Sequence, residues 1–206
     1  EALGLSAWAV RETPKVKTHE LDVPRIGYVH SWTRTQDEGW WRQALDQLSI
    51  PFTYISTQDI TTDADLRSKY DVILFPPVGR GAGQQIITGL PMYGNPLPWK
   101  TTELTPNLGK IDSTDDTRPG MGWEGLANLQ KFVRAGGVFV AVDDTANFAV
   151  QNGFTAGVAV TPAQRLKVTG AVLRSKLVDG ASPIAYGYDD TLSIYSSDGP
   201  IFGVSN

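Results

Sequence analysis

The chain has 206 residues, 41% apolar and 19% charged, and its 18 basic and 22 acidic side chains give a formal charge of −4. That size and balance suit one ordered domain with generous loops and exclude an intrinsically disordered chain. Mixed charges leave no basic face for phosphates, which excludes nucleic acid as a partner, and no apolar run approaches the roughly 20 residues that span a bilayer, so no membrane insertion is expected.

There is no cysteine, which removes disulfides, thiolate metal sites and thiol nucleophiles together. The sequence opens at Glu1 rather than Met, so we expect a processed chain or a piece of a longer one.

Residues 1–24 mix charges with Pro14 and Pro24 and read as a linker or edge segment, followed by one domain over 25–206. Arg25 to His30 forms a short strand. A helix is predicted from Glu38 to Leu48, capped by Asp37, with Trp40, Trp41, Ala44, Leu45 and Leu48 on one apolar face. Pro51 to Ile55 is a second strand, Asp63 to Ser68 a short helix, and Tyr70 to Phe75 a third strand stopped by Pro76 and Pro77. The excursion at 78–121 is rich in Gly and Pro; segments of that length are functional or inserted, and this one has room for a small hairpin or strand.

Regularity returns at Trp123 to Arg134, where Leu126, Leu129, Phe132 and Val133 share a face and Gly136-Gly137 ends the helix. The near-continuous apolar run Val138 to Val142 is expected at the centre of a sheet, buried on both faces. Thr145 to Gln151 comes next as a helix. The remainder, with runs at Val168 to Leu177, Leu192 to Ser196 and Ile201 to Val204, is strand-rich. The order predicts an α/β, three-layer α/β/α sandwich with a mainly parallel sheet and antiparallel edge strands.

Several blocks taken together resemble one family: Arg25-Ile-Gly-Tyr-Val-His-Ser-Trp32, Asp37-Glu-Gly-Trp40, Tyr70-Asp-Val-Ile-Leu-Phe-Pro76, and Phe132 to Val142 through Gly136-Gly137. Their order is similar to the class I glutamine amidotransferase-like domain that succeeds the catalytic domain in bacterial zinc carboxypeptidases of the carboxypeptidase A type. The segments Gly170 to Lys176 and Ser182 to Tyr188 resemble the same tail, and coverage runs over about residues 25 to 204. The resemblance implies a flavodoxin-like domain of a larger, periplasmic or secreted peptidase, with the upstream catalytic domain of the same polypeptide as its partner. Zinc is implied only in that upstream domain, and no cofactor in this chain.

The residue types at each candidate position limit the chemistry open to them. A working amidotransferase needs a thiolate on the turn after a central strand, with a His and an acid beyond it. Here Asp143 and Asp144 occupy that turn, Thr145 is the nearest hydroxyl, and no His lies downstream. The two carboxylates either cap the next helix or line the ligand crevice at the carboxyl end of the strands.

His19 with Asp22 and the lone further imidazole His30 fall short of a zinc peptidase's His-x-x-Glu and second His. His30 is either a strand-end His with one backbone partner or, with Trp32 and Arg80, part of a pocket. Glu38 complements the helix dipole, and Trp40 and Trp41 are expected in core or interface packing. Gly79-Arg-Gly-Ala-Gly83 lacks the ending of a nucleotide loop and is read as freedom to enter the excursion.

Three functions are expected on these grounds. The leading one is a non-catalytic accessory domain involved in interdomain packing or substrate access. The alternative is a small-molecule module for a carbohydrate or peptide end, using His30, Trp32, Glu38, Arg80, Asp143 and Asp144. The third, an acid-only hydrolase, pairs Glu38 with Asp143.

Overall fold

In a computed structural model of the protein, residues 8–16, 22–79, 83–162, 168–197 and 199–205 are described. Strand β1 (Ile26–His30), β2 (Thr53–Ser56), β3 (Val72–Phe75) and β4 (Val138–Ala141) form an all-parallel sheet in the order β2-β1-β3-β4. The helices are α1 (Gln36–Gln47), α2 (Thr57–Thr62), α3 (Leu66–Lys69), α4 (Gly83–Thr88), α5 (Gly122–Arg134) and α6 (Asp144–Gln151). The chain is thus α/β, with helices serving as the crossovers that parallel strands require, an arrangement compatible with three layers.

Alternation along the strands divides the sheet into two unlike faces. Val29, Ile55, Ile73 and Phe75 point into the main core with Ile60, Leu129, Phe132 and Phe148 from α2, α5 and α6. Burying each such side chain stabilises the fold by about 1.5–3 kcal/mol. Helix α5 fits because Leu126, Leu129 and Phe132 recur at helical spacing and are all buried. It ends where Gly136 takes φ +87 and the Gly137 N–H closes onto the Phe132 carbonyl at 3.0 Å, the glycine stop expected from the sequence.

The opposite face carries Tyr28 and Tyr54, which are register partners, and it meets α1. That helix departs from expectation. It starts at Gln36 with Thr35 before it, and Asp37 lies exposed in its first turn rather than capping it.

Its sheetward stripe is Glu38, Arg42 and Leu45, at i, i+4 and i+7, while Trp40 is 64% exposed and Trp41 and Leu48 also face outward. The expected core packing of Trp40 and Trp41 is therefore corrected. The reason lies in the sheet: the Tyr28 hydroxyl donates to the Glu38 carbonyl at 2.7 Å, and the Arg42 guanidinium lies 5.1 Å over the Tyr54 ring. A tyrosine-lined face selects the polar stripe of the helix, because buried hydroxyls need partners.

Further corrections concern β4 and the later strands. Strand β4 is an edge, with Val138 54% and Val140 38% exposed, not the buried centre. The antiparallel strands do not join the sheet: β5 (Val158–Thr161) pairs with β8 (Ile201–Val204), and β6 (Thr169–Lys176) pairs with β7 (Thr191–Ser197), as separate two-stranded ladders. Ser56 and Asp59 form a capping box at α2, an unpredicted helix announced by its Ser-x-x-Asp spacing. Gly83 opens a helix, α4, where the glycine cluster is read from sequence only as freedom to enter the excursion.

Candidate functional site

The carboxyl ends of the strands gather the loops after β1, β2 and β3, where open α/β sheets keep their ligand crevice. Between β1 and β3, where the strand order reverses, a stretch of the excursion enters that crevice. Residues 117–121 of the excursion pack against α4, with the Leu90 N–H donating to the Arg118 carbonyl at 2.7 Å and the Met121 N–H to the Ile86 carbonyl at 2.8 Å. The approach is so close that a Cβ on Gly89, at φ +70, would meet the Arg118 carbonyl oxygen at 2.0 Å. A gap of about 20 Å³ lies among the described residues there, lined by Trp32, Gln85 and Arg118.

Polar locks fix this plug. Arg118, 5% exposed, donates through Nε and Nη2 to both oxygens of Asp116, at 2.8 and 2.6 Å, and through Nη1 to the Tyr93 carbonyl at 2.7 Å. Hydrogen bonding from Arg118 holds the Asp116 carboxyl well below the usual carboxylate range. Gln58 of α2 donates to the Asp116 carbonyl at 2.8 Å and accepts from the Thr114 hydroxyl at 2.8 Å. Trp99 and Thr114 exchange backbone hydrogen bonds, a single antiparallel bridge within the excursion.

Beside the plug, on the β1/β2 side, lies a cavity of about 320 Å³. His30 and Tyr54 line it from the sheet, Trp32 from the loop after β1, Glu38 and Arg42 from α1, and Trp99, Lys110 and Asp112 from the excursion. His30, 2% exposed, is held on three sides. Its Nε2 lies 2.7 Å from Asp112 Oδ2, its ring stacks on Tyr54 at 4.1 Å and 6°, and Trp32 meets it edge-on at 4.7 Å. The partner is a carboxylate on the excursion and not the backbone group anticipated for a strand-end His. Asp112 Oδ1 accepts from the Ser113 N–H at 2.7 Å, which orients the carboxylate.

Glu38 is 3% exposed and lines the cavity beside Tyr54. Burial raises its pKa, against the lowering influence of Tyr54, His30 and Arg42. Burial, reinforced by Glu38, likewise pushes the Tyr54 hydroxyl up, so it stays protonated. Glu38 Oε1 and Trp32 Nε1 are buried without a hydrogen-bond partner among the described residues. The expectation that Glu38 merely complements the helix dipole misses this environment.

The remaining candidates lie elsewhere. Arg80 falls outside the described residues, as does His19. Asp143 and Asp144 do not line the cavity. Asp143 precedes α6 without a side-chain cap, its backbone at φ 57 and ψ −117, a region L-residues avoid. Asp144 accepts from the Val78 N–H at 3.2 Å and from Gly79, tying the turn after β3 to α6, and burial raises its pKa. Its carboxylate thus serves the turn after β3 as well as its own backbone N–H at the start of α6, and it does not line the cavity.

Thr145 is fully buried, with its hydroxyl 2.9 Å from the Phe75 carbonyl. That hydroxyl is committed to structure. Asp143 does not line the cavity that holds Glu38.

Sequence reasoning therefore found His30, Trp32 and Glu38, which the fold brings together, and missed Tyr54, Trp99, Lys110 and Asp112. Tyr54 was legible as the inward partner of Tyr28 in alternating strands; the excursion residues carry no local signal. Among the described residues, no group of three or more His, Asp or Glu side chains is placed to hold a metal ion, and no helix is long and apolar enough to cross a membrane. No family profile, curated protein or solved structure matches the chain.

Proposed function

We propose that the chain is a small-molecule binding module whose site is the cavity between β1, β2, α1 and the excursion. The single observation that carries this reading is the convergence, around about 320 Å³, of aromatic walls with a buried carboxyl that lacks a full set of partners. Ligand sites combine such an apolar lining with a few oriented polar groups. Crystal soaking or NMR titration with a fragment library tests it. Fragments are expected to occupy this cavity, and Thr33→Trp, placed on its exposed rim, to exclude them; fragments that bind only elsewhere sink the reading.

A second reading is favoured by apolar surface left open. Val138 on the sheet, Trp40 on α1, and Val172 and Tyr195 on the β6–β7 ribbon are all more than half exposed, as surfaces that pack against a neighbouring domain are. This supports a non-catalytic accessory domain of a zinc carboxypeptidase, periplasmic or secreted, with class I glutamine amidotransferase-like ancestry.

The strand order β2-β1-β3-β4 agrees with the first four strands of a flavodoxin-like sheet. Joining the chain to an upstream zinc peptidase domain and deleting it again tests this. Unchanged stability and substrate range would count against it.

A further inference from the structure

The cavity's chemistry points beyond the fact of binding. Glu38 is the most deeply buried ionisable acid lining it, and its Oε1 is buried without a hydrogen-bond partner among the described residues. A buried carboxylate that lacks a donor is costly, and a charged donor compensates it about twice as well as a neutral one. The neighbours already present do not suffice: burial still outweighs Tyr54, His30 and Arg42, leaving the carboxyl raised.

The Tyr54 ring is already occupied by His30 and Arg42, but the walls also include the rings of Trp32 and Trp99, and aromatic faces attract a cationic nitrogen. Arg42 is engaged over Tyr54 and reaches Asp46 at 4.0 Å. At the opposite extreme of exposure, Lys110 stands on the rim with no ion pair among the described residues. The interior thus seeks a cation and the mouth an anion or acceptor.

We propose that the cavity binds a small amine, whose ammonium group donates to Glu38 Oε1 between the aromatic walls while an acceptor or anionic group of the same molecule faces Lys110. This rests on the cavity being a binding site. It narrows the ligand to one chemical class and makes Glu38 the specificity-determining residue.

The test is a titration of the whole chain, followed through the indole resonances of Trp32 and Trp99, with matched pairs: hexylamine against hexanol, 6-aminohexanoate against hexanoate, glucosamine against glucose. The amine of each pair is expected to give saturable shifts and to bind roughly tenfold tighter than its partner. Glu38→Gln, shown folded by its own spectrum, erases that preference. Lys110→Ala weakens 6-aminohexanoate relative to hexylamine.

If hexanol or glucose binds as tightly as its amine, or the preference persists in the Gln variant, the inference is overturned while the binding site stands. If no compound produces a saturable shift at either indole, both readings fall. Should Glu38→Gln fail to fold, the paired comparison on the unaltered chain decides alone.

Discussion

His30 Nε2 and Asp112 Oδ2 lie 2.7 Å apart across 82 positions of sequence, so a buried imidazole at the end of β1 pins the far limb of the excursion over the cavity. The contact fixes the wall that Lys110, Ile111 and Asp112 contribute. Replacing Asp112 by Ala leaves the imidazole buried and short of that partner, at a cost of about 1–3 kcal/mol. The expected outcome is a lower urea midpoint together with faster amide exchange confined to residues around 99–113. Unchanged exchange there would show that the excursion is held by the Arg118 plug alone.

Glu38 makes stability depend on pH in a direction opposite to that of an ordinary ion pair. Its folded pKa is raised by burial, so its contribution is complete below the unfolded value of about 4.3 and is lost as pH rises through the folded value. Glu38→Gln cannot ionise. The variant should be more stable than the native chain at neutral pH, with the gap closing in acid. Urea unfolding at a series of pH values measures this, and a gap that widens in acid would contradict it.

Asp71 works the other way. Arg25 grips it through its side chain and backbone N–H, and Arg67 adds a bond at 2.7 Å, so its carboxyl is held well below the usual range. The stability it supplies is present above the unfolded value near 4 and is lost as pH falls below that toward the folded value. Asp71→Asn should therefore be the less stable chain at neutral pH and should converge with the native one in strong acid. Thermal melts across that acid range decide it; parallel curves would refute the assignment.

Ser49 ends α1 in a left-handed conformation, at φ 54, with the Ile50 N–H bonded to the Leu45 carbonyl at 2.9 Å and its own N–H to Asp46 at 3.1 Å. This is the helix stop that glycine fills without steric cost. Ser49→Gly should raise stability by roughly 0.5–1 kcal/mol, read from the shift in the urea midpoint. A loss of stability would mean that the Ser49 side chain contributes a contact outweighing the strain.

Much of the fold was legible because local patterns and tertiary demands agree. The α5 face of Leu126, Leu129 and Phe132, its glycine stop, and the strands around Tyr28 and Ile73 are set by spacing alone. The pattern misled at α1, where the apolar residues Trp40, Trp41 and Leu48 promised a core face. Periodicity locates a stripe but does not say what the sheet beneath it offers, and here the sheet offers tyrosine hydroxyls. It misled again at β4, since an apolar run reads the same at the centre of a sheet and at an edge left partly uncovered.

The sequence by itself determined the α/β order, the absence of thiol chemistry, and three of the cavity's residues, His30, Trp32 and Glu38, because those properties reside in single side chains and short periods. Only the tertiary structure decided that Asp143 and Asp144 stand apart from them, that residues 117–121 enter the crevice between β1 and β3, and that Asp112 comes to His30. Those outcomes depend on where a long Gly- and Pro-rich excursion lands, and its position is set by packing and buried hydrogen bonds between residues far apart in the chain.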